Sequence, residues 1–222
     1  MSKPRFHLLA DTTIVVLALS GFAAGKQTPQ NGAAGQPTSG AQANRGAGGR
    51  QAGNAPPPPP LRLTSAAVGD GVQIPAKYTC SAEQPVSPAL QWTNPPRGTQ
   101  SFVLIVHDME PRPRKGVDDI LHWMVWDMPG TASQLPEAVL SNTADLPDGS
   151  HQTNGNAGQG GITGYRPPCP PQGVPVPHHY AFEIFALDQK LNLPENATRA
   201  DVQKAMDGHI VGHSSIVALF NR

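Results

Sequence analysis

The sequence predicts an all-β-dominated domain with one or two short helices, and three observations carry that prediction. The run SFVLIVH at 101–107 is apolar almost throughout, as a strand buried on both faces requires. In HHYAFEIFALD at 178–188, Tyr180, Phe182 and Ile184 alternate with Ala181 and Glu183, the period of a half-buried strand. The 25 prolines and 23 glycines each exceed a tenth of the 222 residues, which favours turns over long helices.

In chain order, LRLTS (61–65) and a short run at 72–74 read as edge strands. SFVLIVH is followed by LHWMVWDM at 121–128, then by HHYAFEIFALD, and HIVGHSSIVALF at 209–220 closes the set. One helix is expected after residue 198. Thr198 can cap it, Asp201 stands three residues on in the reciprocal capping position, and Gly208 can end it.

The N-terminus reads as an export signal over residues 1–25. Lys3, Arg5 and His7 precede an apolar stretch at 14–24, and Ala23, Ala24 and Gly25 offer small residues for cleavage. An uncleaved anchor is the alternative, although the uninterrupted apolar run is short for a membrane span. Residues 26–60 have no aromatic or branched aliphatic side chain, so they read as a disordered tether of about 30 Å ending in a stiff polyproline run at 56–60. Residues 61–222 then form one domain, exported to a periplasmic or extracellular location.

Charge narrows the partners. The chain is neutral overall, but the domain carries 11 basic against 15 acidic side chains and no basic stripe, which excludes nucleic acid as the expected ligand. Membrane contact is expected only through a lipid head group or an uncleaved N-terminal segment.

Carboxylates, histidines, prolines and aromatics recur in three distant segments: HDMEP at 107–111, LHWMVWDMP at 121–129, and GYRPPCPPQG followed by HHY at 164–180. Asp108 beside His122 or His178 can fix a donor tautomer and favour a charged ring, and Tyr180 adds a hydroxyl donor. The loop at 164–173 is stiff and can aim backbone N–H groups at a ligand, while Trp123 or Trp126 and the prolines can wall a small cavity. Three buried strands with satisfied histidines would produce the same pattern.

These segments, with YTCSAEQPVSPALQW at 78–92 and GHIVGHSSIVALFNR at 208–222, resemble the phosphatidylethanolamine-binding protein family. The likeness is to its bacterial and archaeal branch of the YbhB/YbcL type, described as Raf kinase inhibitor-like, and covers about residues 61–222. The resemblance implies an antiparallel β-sandwich with an anion site at one end. It assigns ligand binding to Asp108, Glu110, His122, Pro170, Pro171, His178 and Tyr180, with the two histidines donating to the anion. Pro111 or Pro113 would close the acidic motif, and Glu110 has Arg112 or Arg114 as alternative surface partners. Pro167 stands where the family usually has glycine, which removes a backbone N–H. The implied function is non-catalytic binding of a small phosphate-bearing or anionic ligand.

Rival readings remain. Relatives are associated with inhibition of kinases and serine proteases, so a kinase or protease partner is possible. Cys169, or a His/Asp pair, could serve a weak hydrolase. A metal is not expected, because His178 and His179 would point to opposite faces of a strand and no H-E-x-x-H or paired C-x-x-C occurs; no cofactor is expected either. Cys80 and Cys169, the two cysteines of the chain, both lie in the resemblance motifs and allow one intrachain disulfide; two buried thiols is the alternative.

Overall fold

Two antiparallel sheets face each other in the computed structural model, which describes residues 57–112, 115–155 and 161–222. The signal segment and nearly all of the tether predicted above lie outside the described residues. The smaller sheet holds β1 (Arg62–Thr64), β2 (Leu90–Thr93) and β5 (Gln134–Leu135) in the order β1-β2-β5. The larger is built from β3 (Ser101–Asp108), β4 (Ile120–Pro129), β6 (His151–Gln152), β7 (His178–Leu187) and β8 (Ile210–Phe220), in the order β6-β4-β3-β7-β8. The run at 72–74 is not a strand, although Gln73 bridges Leu219.

Strand β3 is buried along its whole length because both faces are covered. Phe102, Leu104 and Val106 pack with Trp92, Trp123, Phe182 and Ile184 between the sheets. Val103 and Ile105 pack on the opposite face with Met124, Trp126 and Val202 of helix α1 (Arg199–Met206). That helix starts on the expected capping box of Thr198 and Asp201, and Gly208 follows it at φ 79°. A 3-10 turn at Ala76–Tyr78 is the second short helical element.

Two β-bulges in β4 break its pairing with β3. Val106 faces Trp123 while the next residue, His107, faces Leu121, so His122 is the extra residue of the first bulge. Leu121 accordingly packs toward the helix side and Trp123 toward the inter-sheet core. The second bulge contains Asp127, buried at φ 58°, whose carboxylate accepts the backbone N–H groups of Leu191 and Asn192 at 2.6 and 2.9 Å.

Candidate functional site

Six of the seven expected ligand residues converge on one cavity at the end of the sandwich. It measures about 450 Å³ and is lined by Asp108, Glu110, His122, Pro170, Pro171 and His178, together with Pro111, Ile120, Arg166 and Cys169. Period-two alternation explains part of this. Asp108 continues the inward face of Phe102, Leu104 and Val106, and it lies opposite Tyr180 in the β3–β7 register, with His178 two residues before Tyr180 on the same face. The bulge brings His122 to the same wall.

The seventh residue, Tyr180, sits behind the cavity. Its ring is fully buried, meets His122 edge-on at 5.2 Å between centroids and lies stacked with His178 at 6.4 Å. Burial first, and then the neighbouring Asp108 carboxylate, push the pKa of its hydroxyl above the ordinary tyrosine range. Tyr180 therefore shapes the wall by packing its ring against both histidines.

The acidic residues are engaged by histidines. His178 Nδ1–H donates to Asp108 Oδ2 at 2.8 Å, and Glu110 N–H donates to Asp108 Oδ1 at 3.2 Å. Glu110 accepts both the backbone N–H and Nδ1–H of His179, each at 2.6 Å. These contacts hold the Glu110 carboxyl below its usual range despite burial, which opposes its charge. The surface pairing of Glu110 with Arg112 is not formed, since Arg112 donates to the Met109 and Pro111 carbonyls; Arg114 and Pro113 lie outside the described residues.

His122 behaves differently from the expected donor. Its Nδ1 is 2.9 Å from the Arg166 carbonyl oxygen, which can only accept, so the hydrogen resides on Nδ1. The ring is 4% exposed, and desolvation lowers its pKa to about 4. At neutral pH His122 is uncharged and its Nε2 is an acceptor.

The 164–171 loop is held at several points. Gly164, at φ 83°, turns the chain and donates its N–H to Thr153 O. Tyr165 O–H donates to Tyr78 O, Cys80 N–H to Pro168 O, and Arg222 Nε–H to Pro170 O. Arg166 N–H donates to His122 O, so this amide is turned to β4 and is not free for a ligand. Within 167–171 only Cys169 has a backbone N–H, and Cys169 lies on the cavity wall. Cys169 is disulfide-bonded to Cys80, 89 residues away, which removes the thiol that a Cys169 nucleophile would need.

Two further expectations change. Trp123 and Trp126 are fully buried in the two cores and do not wall the cavity; the apolar lining is Pro111, Ile120, Pro170 and Pro171. Arg166 was not among the expected site residues. A lone arginine in a proline-rich loop reads as a solvated side chain, yet it supplies the wall with a permanent positive charge that opposes protonation of His122. Asp108, Glu110 and His178 also bring one possible ligand atom each within 4.8 Å of one another, a geometry able to seat a cation, with all three already engaged as described.

Comparison with known proteins defines the class. The family model described as phosphatidylethanolamine-binding protein matches residues 64–221. A UPF0098 protein of Methanothermobacter thermautotrophicus is 36% identical over 162 residues, covering 73% of this chain and 99% of the relative. UPF0098 protein YbhB of Escherichia coli is 31% identical over 166 residues, covering 72% and 100%. The crystal structure of CT736 from Chlamydia trachomatis, described as a putative phosphatidylethanolamine-binding protein homologue, matches with a TM-score of 0.62 and 33% identity, covering 73% of this chain and 98% of that one. E. coli YbcL, described as a member of the mammalian family, matches with a TM-score of 0.62, 27% identity and the same coverage. The chain belongs to the phosphatidylethanolamine-binding protein family.

Proposed function

We propose that this protein binds a small phosphate-bearing or otherwise anionic ligand, of the phospholipid head-group type, without catalysing a reaction on it. The observation that carries the reading is the convergence of Arg166, His178, His122 and Cys169 on one small cavity with proline walls. Its volume of about 450 Å³ suits a head group rather than an acyl chain. Arg166 is the fixed countercharge, and each of the two carboxylates is hydrogen-bonded to a histidine partner. The ligand's polar end would meet these groups, and its remainder would extend past Pro111 and Pro170.

Export belongs to the same proposal. The Cys80–Cys169 bond favours an oxidising compartment, in keeping with an N-terminal segment of signal-like composition. A head group presented by a membrane or released from one would be encountered there.

Calorimetric titration with phosphorylethanolamine and with inorganic phosphate tests the reading. Saturable heat is expected for wild type with at least one of them, and a marked weakening in His122→Ala. No heat with either ligand would remove this function while leaving the fold intact.

A further inference from the structure

We infer that the ligand carries a P–O–H group which donates to His122 Nε2, so that the cavity prefers a phosphate monoester or inorganic phosphate to a phosphodiester. The inference rests on the anion-binding reading above and narrows it from phosphates in general to one protonation and substitution class.

The argument begins with the tautomer. The Arg166 carbonyl oxygen lies 2.9 Å from His122 Nδ1 and has no hydrogen to give, so Nδ1 must be the protonated nitrogen. The pairing is reciprocal, because Arg166 N–H donates to His122 O at 2.8 Å, and the ring cannot turn over without breaking the bond to the loop. Desolvation keeps the second proton off until about pH 4; the hydrogen bond to the Arg166 carbonyl and the charge of Asp108 oppose this, and the charges of Arg166 and His107 reinforce it. Near neutrality Nε2 therefore presents a lone pair. Among the described residues no hydrogen bond reaches it, and the ring's one hydrogen bond is at Nδ1.

The rest of the wall favours the same ligand. Asp108 and Glu110 contribute carboxylate oxygens, which are acceptors. Donors come from Arg166 and from Cys169, which has the one backbone N–H of residues 167–171, whereas the Nδ1–H of His178 is already given to Asp108. A fully deprotonated phosphate would set its own lone pairs against His122 Nε2 and the two acids. A diester has no hydrogen to offer at any pH where it is charged. A monoester in its monohydrogen form places oxyanions toward the donors and one O–H toward Nε2. Its second ionisation lies at about pH 6, so this form is available close to neutrality without protonating the protein. Leaving a buried acceptor unpaired weakens binding by about tenfold or more.

The test compares phosphorylethanolamine, a monoester, with glycerophosphorylethanolamine, a diester with the same amine, by calorimetry at pH 6.5. Wild type should bind the monoester at least about tenfold more tightly. His122→Phe, which keeps a flat ring but has no acceptor, should bring the ratio close to one. In parallel, the ¹⁵N shifts of the His122 ring in wild type should report hydrogen on Nδ1 and a bare Nε2, a readout that does not depend on the variant folding. Diester binding as tight as monoester binding, or a ring protonated at Nε2, overturns the inference alone. Absence of heat with both ligands overturns the broader reading and this one together.

Discussion

His122 and Arg166 grip each other twice across 44 residues of sequence: the Arg166 amide donates to His122 O at 2.8 Å, and His122 Nδ1–H donates to Arg166 O at 2.9 Å. One bond is main chain to main chain and the other uses the imidazole. Together they dock the proline loop on the bulge of β4 and place the Arg166 side chain on the cavity wall.

Because its backbone makes the docking bonds, Arg166 can lose its side chain without releasing the loop. Arg166→Ala should keep the wild-type circular dichroism spectrum and melting temperature to within a small shift. Affinity for inorganic phosphate should fall by about tenfold to a hundredfold, the usual worth of a charge-assisted hydrogen bond. Unchanged phosphate affinity would show that the guanidinium does not reach the ligand.

The Cys80–Cys169 bridge closes 89 residues and ends on a cavity-lining residue. Its loss should act on both stability and binding. In the chain-entropy model, a Cys80→Ser/Cys169→Ser double variant loses about 2–5 kcal/mol of unfolding free energy. Its phosphate affinity should fall as well, since the loop would keep its hydrogen bonds to Tyr78, Cys80, His122, Thr153 and Arg222 but lose its covalent tie. Urea denaturation and calorimetry on the oxidised and double-serine proteins would measure the two effects separately.

On the opposite face of the sheet, His107 is held between two carboxylates. Its Nδ1 lies 2.5 Å from Asp119 Oδ2 and its Nε2 lies 3.1 Å from Glu183 Oε2, while Arg199 pairs with Asp119 and His213 with Glu183. Burial works against charge on His107, but Glu183 and Asp119 outweigh it and raise its pKa. The hydrogen bond from His107 lowers Glu183; burial resists the charge on Asp119, and the Arg199 bond overcomes it. The raised histidine adds stability that is complete below its unfolded pKa of about 6.5 and is lost as pH rises through the higher folded value. The lowered carboxylates add stability that is present above their unfolded values near 4 and is lost as pH falls through their folded ones. The melting temperature should therefore peak in mildly acidic solution, between about pH 4.5 and 6.5. His107→Gln should flatten the alkaline side of the profile and cost about 3 kcal/mol. An alkaline limb identical in variant and wild type would contradict the assignment.

Asp127 tests the second bulge. It combines a left-handed backbone at φ 58° with a buried carboxylate that accepts two amides of the segment after β7. Asp127→Ala removes both acceptors and places a β-carbon residue with no compensating bond in that conformation, so a loss of about 2–4 kcal/mol is expected. Asp127→Asn keeps one acceptor oxygen and tolerates the conformation, and should lose less. Urea midpoints for the two variants would rank them.

Much of this molecule was legible before any coordinates. The apolar run ending in Asp108, the alternation from Tyr180 to Ile184 and the Thr198–Asp201 spacing each follow from a local period or a local bond, and each became the expected element. Sequence determined these because the interactions behind them span only a few residues, or repeat along one strand. The resemblance motifs likewise named most of the cavity lining, because the residues that carry them occur at the ends of recognisable strands.

Tertiary structure alone decided the rest. Alternation places Leu121 and Trp123 on one face of β4, and only pairing with β3 reveals that His122 is an extra residue that separates them. The identity of its partner, a carbonyl 44 residues away, settles that the ring accepts where donation was expected. His107 closes an apolar run in sequence, and its two carboxylates arrive from 12 and 76 residues downstream. Which nitrogen carries a hydrogen, and which charge meets which countercharge, are properties of contacts between distant segments, so no reading along one strand could contain them.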